Sequence, residues 1–353
     1  MWEWGQIERR IDFGNDAANR WSGNANSLRY NPSSITLMRK AALLYNPDSG
    51  GSRRRQRELE AALAVLTGGG VEASLVPTET RDHAGDEARR AIAAGCDTIF
   101  ACGGDGTIHN IVQVLADSAV ALAILPMGTA NALAHDLGLP LQVARAAKAA
   151  LRAAPRRISL GRVEYAGLQG EPGRCYFVLS AGVGVDAHLF YKLHHGAKQR
   201  MGMAAYYATA WNLWFTYRMT WFAAEYWETG SEAQQRAEVT ELMAVRIRNF
   251  GGVVQELAPG ASLDRNDARL VFCRTASRLA YLAYVTRSLL RRHWTIPGIE
   301  LVYSKRVSCR YLPAAPAQSG GQKKIYVEAD GELLGTLPVE ISVVPNALTL
   351  LAP

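Results

Sequence analysis

The run Gly103-Gly104-Asp105-Gly106-Thr107 concentrates more chemistry in fewer residues than any other stretch of this chain. It follows the apolar segment Thr98 to Ala101 and leads into a helical pattern. Glycines lack the Cβ atoms that hold a backbone away from an anion. Their N–H groups can therefore close on a phosphate, and the start of a helix adds its positive end. The Asp within the run can hold Mg²⁺ beside that phosphate. A tight strand-to-helix turn with a capping Asp has the same letters, and the loop by itself leaves both readings open.

Two more loops occupy equivalent places. Ala121 to Leu125 runs into Pro126-Met127-Gly128-Thr129-Ala130-Asn131, and Ala41 to Tyr45 runs into Asn46-Pro47-Asp48-Ser49-Gly50-Gly51. Loops that leave the carboxyl ends of parallel strands form the edge where open α/β sheets bind ligands, so the three are expected to converge on one nucleotide. Neither GxxxxGK[ST] nor GxGxxG is present, which argues against a P-loop and against a dinucleotide fingerprint. Far downstream, Asp330-Gly331-Glu332 follows the strand-like Ile325 to Ala329, and on its own would be a hairpin turn.

The elements that must position these loops alternate regularly. Strands Ala41 to Tyr45, Val71 to Pro77, Thr98 to Ala101 and Ala121 to Leu125 are separated by helical patterns at Arg53 to Leu66, His83 to Ala94 and Thr107 to Leu115. Further helices are expected at Ala130 to Leu137 and Gln142 to Ala153. Apolar strands interleaved with helices predict a doubly wound α/β domain, its parallel sheet covered on both faces. After Arg157 the texture changes. Strands are expected at 157–165, 176–180, 239–248, 270–274, 299–307, 325–329 and 339–344, with helices near Met203 to Met219 and Ala276 to Arg292, which reads as a β-rich, sandwich-like second domain. Residues 1–37 carry no sustained period and read as a poorly ordered extension, with Met38 as an alternative start.

Composition limits the alternatives. The 353 residues are enough for two domains with cores of their own, and 48% hydrophobic with 20% charged is a globular balance. A net charge of +7 favours an acidic partner: nucleotide phosphate, anionic lipid or nucleic acid. No nucleic-acid motif accompanies the basic clusters, so nucleic acid is not expected. Five cysteines without metal-ligand spacing suit a reducing compartment, and the opening residues lack a signal-peptide pattern. The aromatic stretch Gly202 to Ala224 is interrupted by Arg218, Asn212 and several Thr, so an amphipathic or buried helix is favoured over a span.

Taken together in order and spacing, NPDSGG, GGDGT and Pro126-x-Gly128-Thr129-x-Asn131-x-x-Ala134-x-x-Leu137-Gly138 resemble the diacylglycerol-kinase catalytic-domain family, which includes sphingosine, ceramide and bacterial lipid kinases. The resemblance runs on through Ser180 to Ala187, Pro259-Gly260-Ala261 to Leu270 and Asp330-Gly331-Glu332, covering roughly residues 38 to 350. It implies an ATP-binding α/β domain at 38–155, a β-rich lipid-binding domain at 156–353, and MgATP-dependent transfer of the γ-phosphoryl group to a lipid hydroxyl. Nucleotide contacts would fall on Asn46, Thr78, Gly103, Gly104, Asp105, Gly106, Thr107, Gly128, Thr129 and Asn131. Thr80 competes with Thr78, whereas His83 reads as a helix-start residue. Glu332 would be the base and Asp105 would share the Mg²⁺, although either carboxylate could take the proton.

The same resemblance implies a structural Mg²⁺ on Asp267 with the carbonyls of Asp264 and Arg269. Ala268 stands where a Gly is usual, and a plain β-turn is the competing reading. Asp186 falls where sphingosine kinases bind the lipid amine, or is simply a turn residue after Gly184, and Asn110 replaces an acidic residue common after the glycine loop. Tyr206, Tyr207, Trp211, Trp214, Phe215, Trp221, Phe222, Tyr226 and Trp227 divide between core and an acyl-chain pocket. The implied setting is a cytoplasmic protein attached peripherally to an anionic membrane, with a homodimer left open. The rivals are an NAD-kinase-like enzyme and a non-catalytic lipid- or nucleotide-binding protein.

Overall fold

The computed structural model describes residues 38–47, 53–79, 83–188, 219–251, 256–290, 295–313 and 324–353. The expected extension at 1–37, the helix at Met203 to Met219 except its last residue, Thr80, and the aromatics from Tyr206 to Phe215 lie outside them.

Strands β1 (Lys40–Tyr45), β2 (Glu72–Pro77), β3 (Thr98–Gly103) and β4 (Ala121–Pro126) form a parallel sheet in the order β2-β1-β3-β4. Successive side chains on a strand point to opposite faces, so β1 divides between two cores. Leu43 joins Leu59, Ala62 and Leu66 of α1 (Arg53–Gly68) and Ala146 and Ala150 of α5 (Val143–Ala150). Leu44 joins Ala88 and Ala91 of α2 (Ala84–Ala93) and Ile111 and Leu115 of α3 (Asp105–Leu115). All six residues of β3 and of β4 are buried, as a strand covered by helices on both faces requires. The short α4 (Ala132–Asp136) follows the loop after β4.

The remainder is antiparallel: β5 (Pro155–Ala166), β6 (Pro172–Phe177), β7 (Ser180–Val183), β8 (Phe222–Glu228), β9 (Gln234–Val239), β10 (Glu241–Val245), β11 (Ala268–Cys273), β12 (Ile299–Tyr311), β13 (Tyr326–Ala329) and β14 (Glu332–Leu351), with α6 (Arg278–Leu289) between β11 and β12. The run β14-β13-β7-β10-β11-β12 closes on itself, because β12 also pairs with β14 from Arg306↔Ser342 to Cys309↔Val339. Phe177, Val183, Leu242, Phe272, Val307, Val327 and Val339 fill its core. Phe222 and Tyr226 belong to that core, while Trp221 lies exposed.

Strand β14 joins the two halves. It leaves the hairpin with β13 at Ala329↔Glu332, runs beside β5, and ends parallel to β4 at Thr349↔Ala121 and Leu350↔Leu122. Sequence patterning marks only 339–344 of its twenty residues. The irregularity between Val344 and Leu348, with Asn346 at φ 52°, breaks the alternation that would have signalled the rest.

Candidate functional site

The first three loops leave the carboxyl ends of β1, β3 and β4, so the fold brings Asn46, Gly103 to Thr107 and Gly128 to Asn131 to one edge of the sheet. Residues 48–52 of the first loop lie outside the described residues. Arg55, in the first turn of α1, donates to the carbonyl of Met127 at 2.8 Å and ties the first loop's helix to the third loop.

The glycines act by proximity. A Cβ on Gly128 would overlap the Cα of Gly104, and one on Gly103 would overlap the Thr107 side chain. The two loops therefore pack backbone to backbone at the start of α3, where the Thr107 N–H donates to the Gly104 carbonyl at 3.0 Å and a phosphate would lie against the positive end of the helix. Asn131 holds the third loop in shape: it sits at φ 49°, accepts the Gly128 N–H at 2.8 Å and donates to the Gly128 carbonyl at 2.9 Å.

Asp105 does cap a helix, but not its own. Its carboxylate accepts the amides of Ala132 at 3.1 Å and Leu133 at 3.2 Å, joining α3 to α4. Burial pushes its carboxyl upward from the ordinary range, those two amides oppose the rise, and Asp330 adds to it. A carboxylate has about four lone-pair positions, so capacity remains for a cation. One carboxylate completed by substrate phosphates and water is the usual donor set of Mg²⁺, and the residues present fit such an ion. Thr78 follows β2 and is buried, its hydroxyl turned onto the Tyr45 carbonyl at 3.3 Å. His83 is the residue before α2, as a helix-start residue should be.

The Asp330-Gly331 turn brings the distal motif into contact with this edge. Both residues have positive φ, 50° and 84°, the conformation a two-residue hairpin of the primed type demands. Glu332 opens β14 and is half-buried. The Asp330 side chain, 2% exposed, accepts the N–H groups of Val178 (2.9 Å), Leu179 (2.8 Å) and Ser180 (3.2 Å) and faces His109 Nδ1 at 3.4 Å. His109 lies one turn beyond Asp105 on α3. Its Nε2 is 3.5 Å from Cys175 Sγ, and that thiol donates to the Tyr176 carbonyl, so the sulfur is left as an acceptor. Both ring nitrogens thus face acceptors, the arrangement of an imidazolium. Burial works against that charge, but the Asp330 and Cys175 contacts outweigh it and push the ring up to about 10.

Asp186 lies in the helical turn that begins at Val185, after Gly184, and not in a plain turn, beside two buried carboxyls that sequence reasoning missed. Glu241 accepts the amides of Val185 and of Asp186, the latter at 3.2 Å, and Glu328 accepts the Gly331 amide at 2.8 Å. Burial pushes Asp186 up to about 6 and both glutamates well above their ordinary range. The available signal was an acid inside an apolar strand, in Glu241-Leu242-Met243-Ala244-Val245 and Tyr326-Val327-Glu328-Ala329.

The expected structural Mg²⁺ does not fit. Arg265 takes both oxygens of Asp267, at 2.6 and 2.9 Å, and the Thr229 hydroxyl donates to it at 2.9 Å. Arg246, fully buried, donates to the carbonyls of Arg265 (2.9 Å), Asp267 (2.5 Å), Ser159 (2.9 Å) and Leu263 (3.4 Å). Two guanidinium groups already stand where a cation would be placed. Asp264 is turned to Arg156 at 2.8 Å, and the Arg269 side chain reaches the Pro259 carbonyl at 3.1 Å.

Two family models match this chain: the diacylglycerol kinase catalytic domain over residues 40–163, and the YegS C-terminal NAD kinase beta sandwich-like domain over 179–352. The chain belongs to the diacylglycerol kinase catalytic-domain family. Its relatives include a diacylglycerol kinase of Bacillus subtilis (strain 168), 29% identical over 306 residues, covering 86% of this chain and 93% of the relative. Another, from Staphylococcus aureus (strain MRSA252), is 25% identical over 319 residues, covering 90% and 93%. The fold is similar to that in a crystal structure of a diacylglycerol kinase from Bacillus anthracis str. Sterne, with a TM-score of 0.64, 17% identity, and coverage of 91% of this chain and 98% of that one.

Proposed function

We propose that this chain is a lipid kinase that transfers the γ-phosphoryl group of ATP, bound with Mg²⁺, to a hydroxyl of diacylglycerol at an anionic membrane surface, with a sphingoid base or related lipid as the alternative acceptor. One observation carries the reading: α3 has Asp105 at its start, in the phosphate loop, and His109 one turn later against Asp330, so the glycine loop and the Asp330-Gly331-Glu332 turn share one helix.

Phosphoryl transfer asks for positioning and charge stabilisation more than for covalent chemistry by the protein. Backbone N–H groups at Gly104 to Gly106, and the loop held by Asn131, would cradle the phosphates. Asp105 would hold Mg²⁺, which when bound neutralises charge on the transferring group. The lipid oxygen forms the new bond to the γ-phosphorus, the bond to the β-bridging oxygen breaks, ADP leaves, and Glu332 accepts the hydroxyl proton. Glu332 suits that task better than Asp105, whose two oxygens are engaged by the Ala132 and Leu133 amides. Among the described residues no helix is long and apolar enough to cross a membrane, so a lipid acceptor would be met at its surface.

The test is transfer of labelled phosphate from ATP in vesicles holding fixed diacylglycerol or sphingosine, with anionic lipid and salt varied. Label should enter a lipid, with a rate that rises with anionic content and falls as salt shortens the screening length below about 8 Å. Label found only in a water-soluble acceptor, or none at all, would overturn the reading.

A further inference from the structure

We propose that His109 is a positioning residue for the proton acceptor Glu332, acting through the Asp330 carboxylate. The inference rests on the kinase reading above and adds to it a residue outside the glycine loop and outside the Asp330-Gly331-Glu332 turn.

Three of the four donors on Asp330 are backbone amides: those of Val178 and Leu179, which join β6 to β7, and of Ser180, which opens β7. Those bonds fix Asp330 within the antiparallel half. The fourth is His109, which comes from α3, the helix that the glycine loop opens. Asp330 is also the first residue of the tight turn, at φ 50°, and its N–H donates to the Ser180 carbonyl at 2.8 Å. A turn clamped at that residue leaves little freedom for Glu332, two positions on. The imidazole thus sets where the acceptor carboxylate stands relative to the γ-phosphate, and an error of about 1 Å there is enough to cost roughly a hundredfold in rate.

A second contact between the same elements supplies a control. Gln113, one turn further along α3, donates to the Tyr176 carbonyl at 2.8 Å and accepts the Tyr176 amide at 2.8 Å. It stitches α3 to β6 without touching Asp330. If His109 served cohesion alone, losing either contact should have the same kind of effect.

The experiment uses the full chain and compares His109→Asn, His109→Gln and Gln113→Ala in the vesicle assay, each with a melting temperature. Asn can present its amide N–H near the Nδ1 position, towards Asp330, whereas Gln reaches the Nε2 position, towards Cys175. Both are polar and of similar size, so both should fold. We expect His109→Asn to keep kcat within about threefold, and His109→Gln to lose at least about tenfold in kcat with KM for ATP changed less than about twofold. Gln113→Ala should lower the melting temperature and leave kcat near wild type. Combining His109→Gln with Glu332→Ala should cost nothing beyond Glu332→Ala alone, because residues acting as one unit are not additive.

An active wild type in which His109→Gln and Gln113→Ala lose rate equally, or in which His109→Gln still lowers the residual rate of Glu332→Ala, would overturn the positioning role while leaving the kinase reading intact. A wild type with no transfer to any lipid would overturn both.

Discussion

Arg265 closes on Asp267 with its Nε 2.6 Å from one carboxylate oxygen and its Nη2 2.9 Å from the other, a two-pronged pairing that gives the loop before β11 an internal cation. With Arg246 seated among four carbonyls beneath it, this loop needs no metal to hold its shape.

Chelation with EDTA in the absence of nucleotide should therefore leave the melting temperature within about 1 °C, since only a ligand of the folded state shifts stability. Arg246→Met should destabilise by about 3–5 kcal/mol in urea denaturation, because it strands buried carbonyls and removes a positive charge that favours the Asp267 carboxylate. A melting temperature that falls with EDTA and returns with Mg²⁺ alone would show that a metal is held here after all.

Asp105→Asn should cost on the order of a thousandfold in kcat, the loss of a charge beside a transferring phosphoryl group. The amide oxygen can still accept one of the two α4 N–H groups while the other faces the new NH₂, so the protein should stay folded with stability lowered by about 1–3 kcal/mol. Unchanged turnover in this variant would remove Asp105 from the site.

Glu332→Gln is expected to lower kcat by about a hundredfold or more with KM for ATP nearly unchanged, as loss of a general base requires. Equal losses in ATP affinity and kcat would assign Glu332 to nucleotide binding.

Gly128→Ala puts a methyl group onto the Cα of Gly104 and must push the two loops apart. KM for ATP should rise by about tenfold or more, since the backbone approach that cradles phosphate is lost. Titration calorimetry with ATP checks this directly, and wild-type affinity would mean that the loops do not bind the nucleotide together.

Asp186 gives a pH signature. Its folded-state carboxyl is raised to about 6 by burial, above its ordinary 3.8, so its contribution to stability is fully present below the lower value and is lost as pH rises through the higher one. The wild-type melting temperature should therefore fall between pH 5 and pH 8 by several degrees more than that of Asp186→Asn. Parallel curves for the two proteins would show that Asp186 is not strained by its charge.

The glycine-bearing loops at the strand ends, the parallel sheet and the Asp330-Gly331 turn were legible because each obeys a local rule: apolar runs between helices, glycines at strand ends, an Asp-Gly pair with positive φ. Asp105's bond to α4 was half legible, since a capping Asp was foreseeable but its target, twenty-seven residues away, was not. His109, Glu241, Glu328 and Arg246 could not be found that way. His109, Glu241 and Arg246 are made tolerable by partners distant in sequence, and Glu328, whose Gly331 partner is local, is buried beside Asp186 only by the tertiary fold. The residues around Asp267 do not fit the expected metal for a related reason: Arg265 and Arg246 supply the charge, and local spacing does not reveal a guanidinium that arrives from just beyond β10.

The passage of β14 into the first sheet has a consequence for how the protein is made. β4 is an early strand, yet one of its edges is paired only by Thr349 and Leu350. While the chain emerges from the ribosome, the parallel-sheet half must wait with that edge uncovered until almost everything after it has been synthesised, a long-range closure of the slow kind. Folding of the early half is thereby coupled to completion of the late one, and a chain released before Thr349 would present the edge of β4 as an open apolar strand.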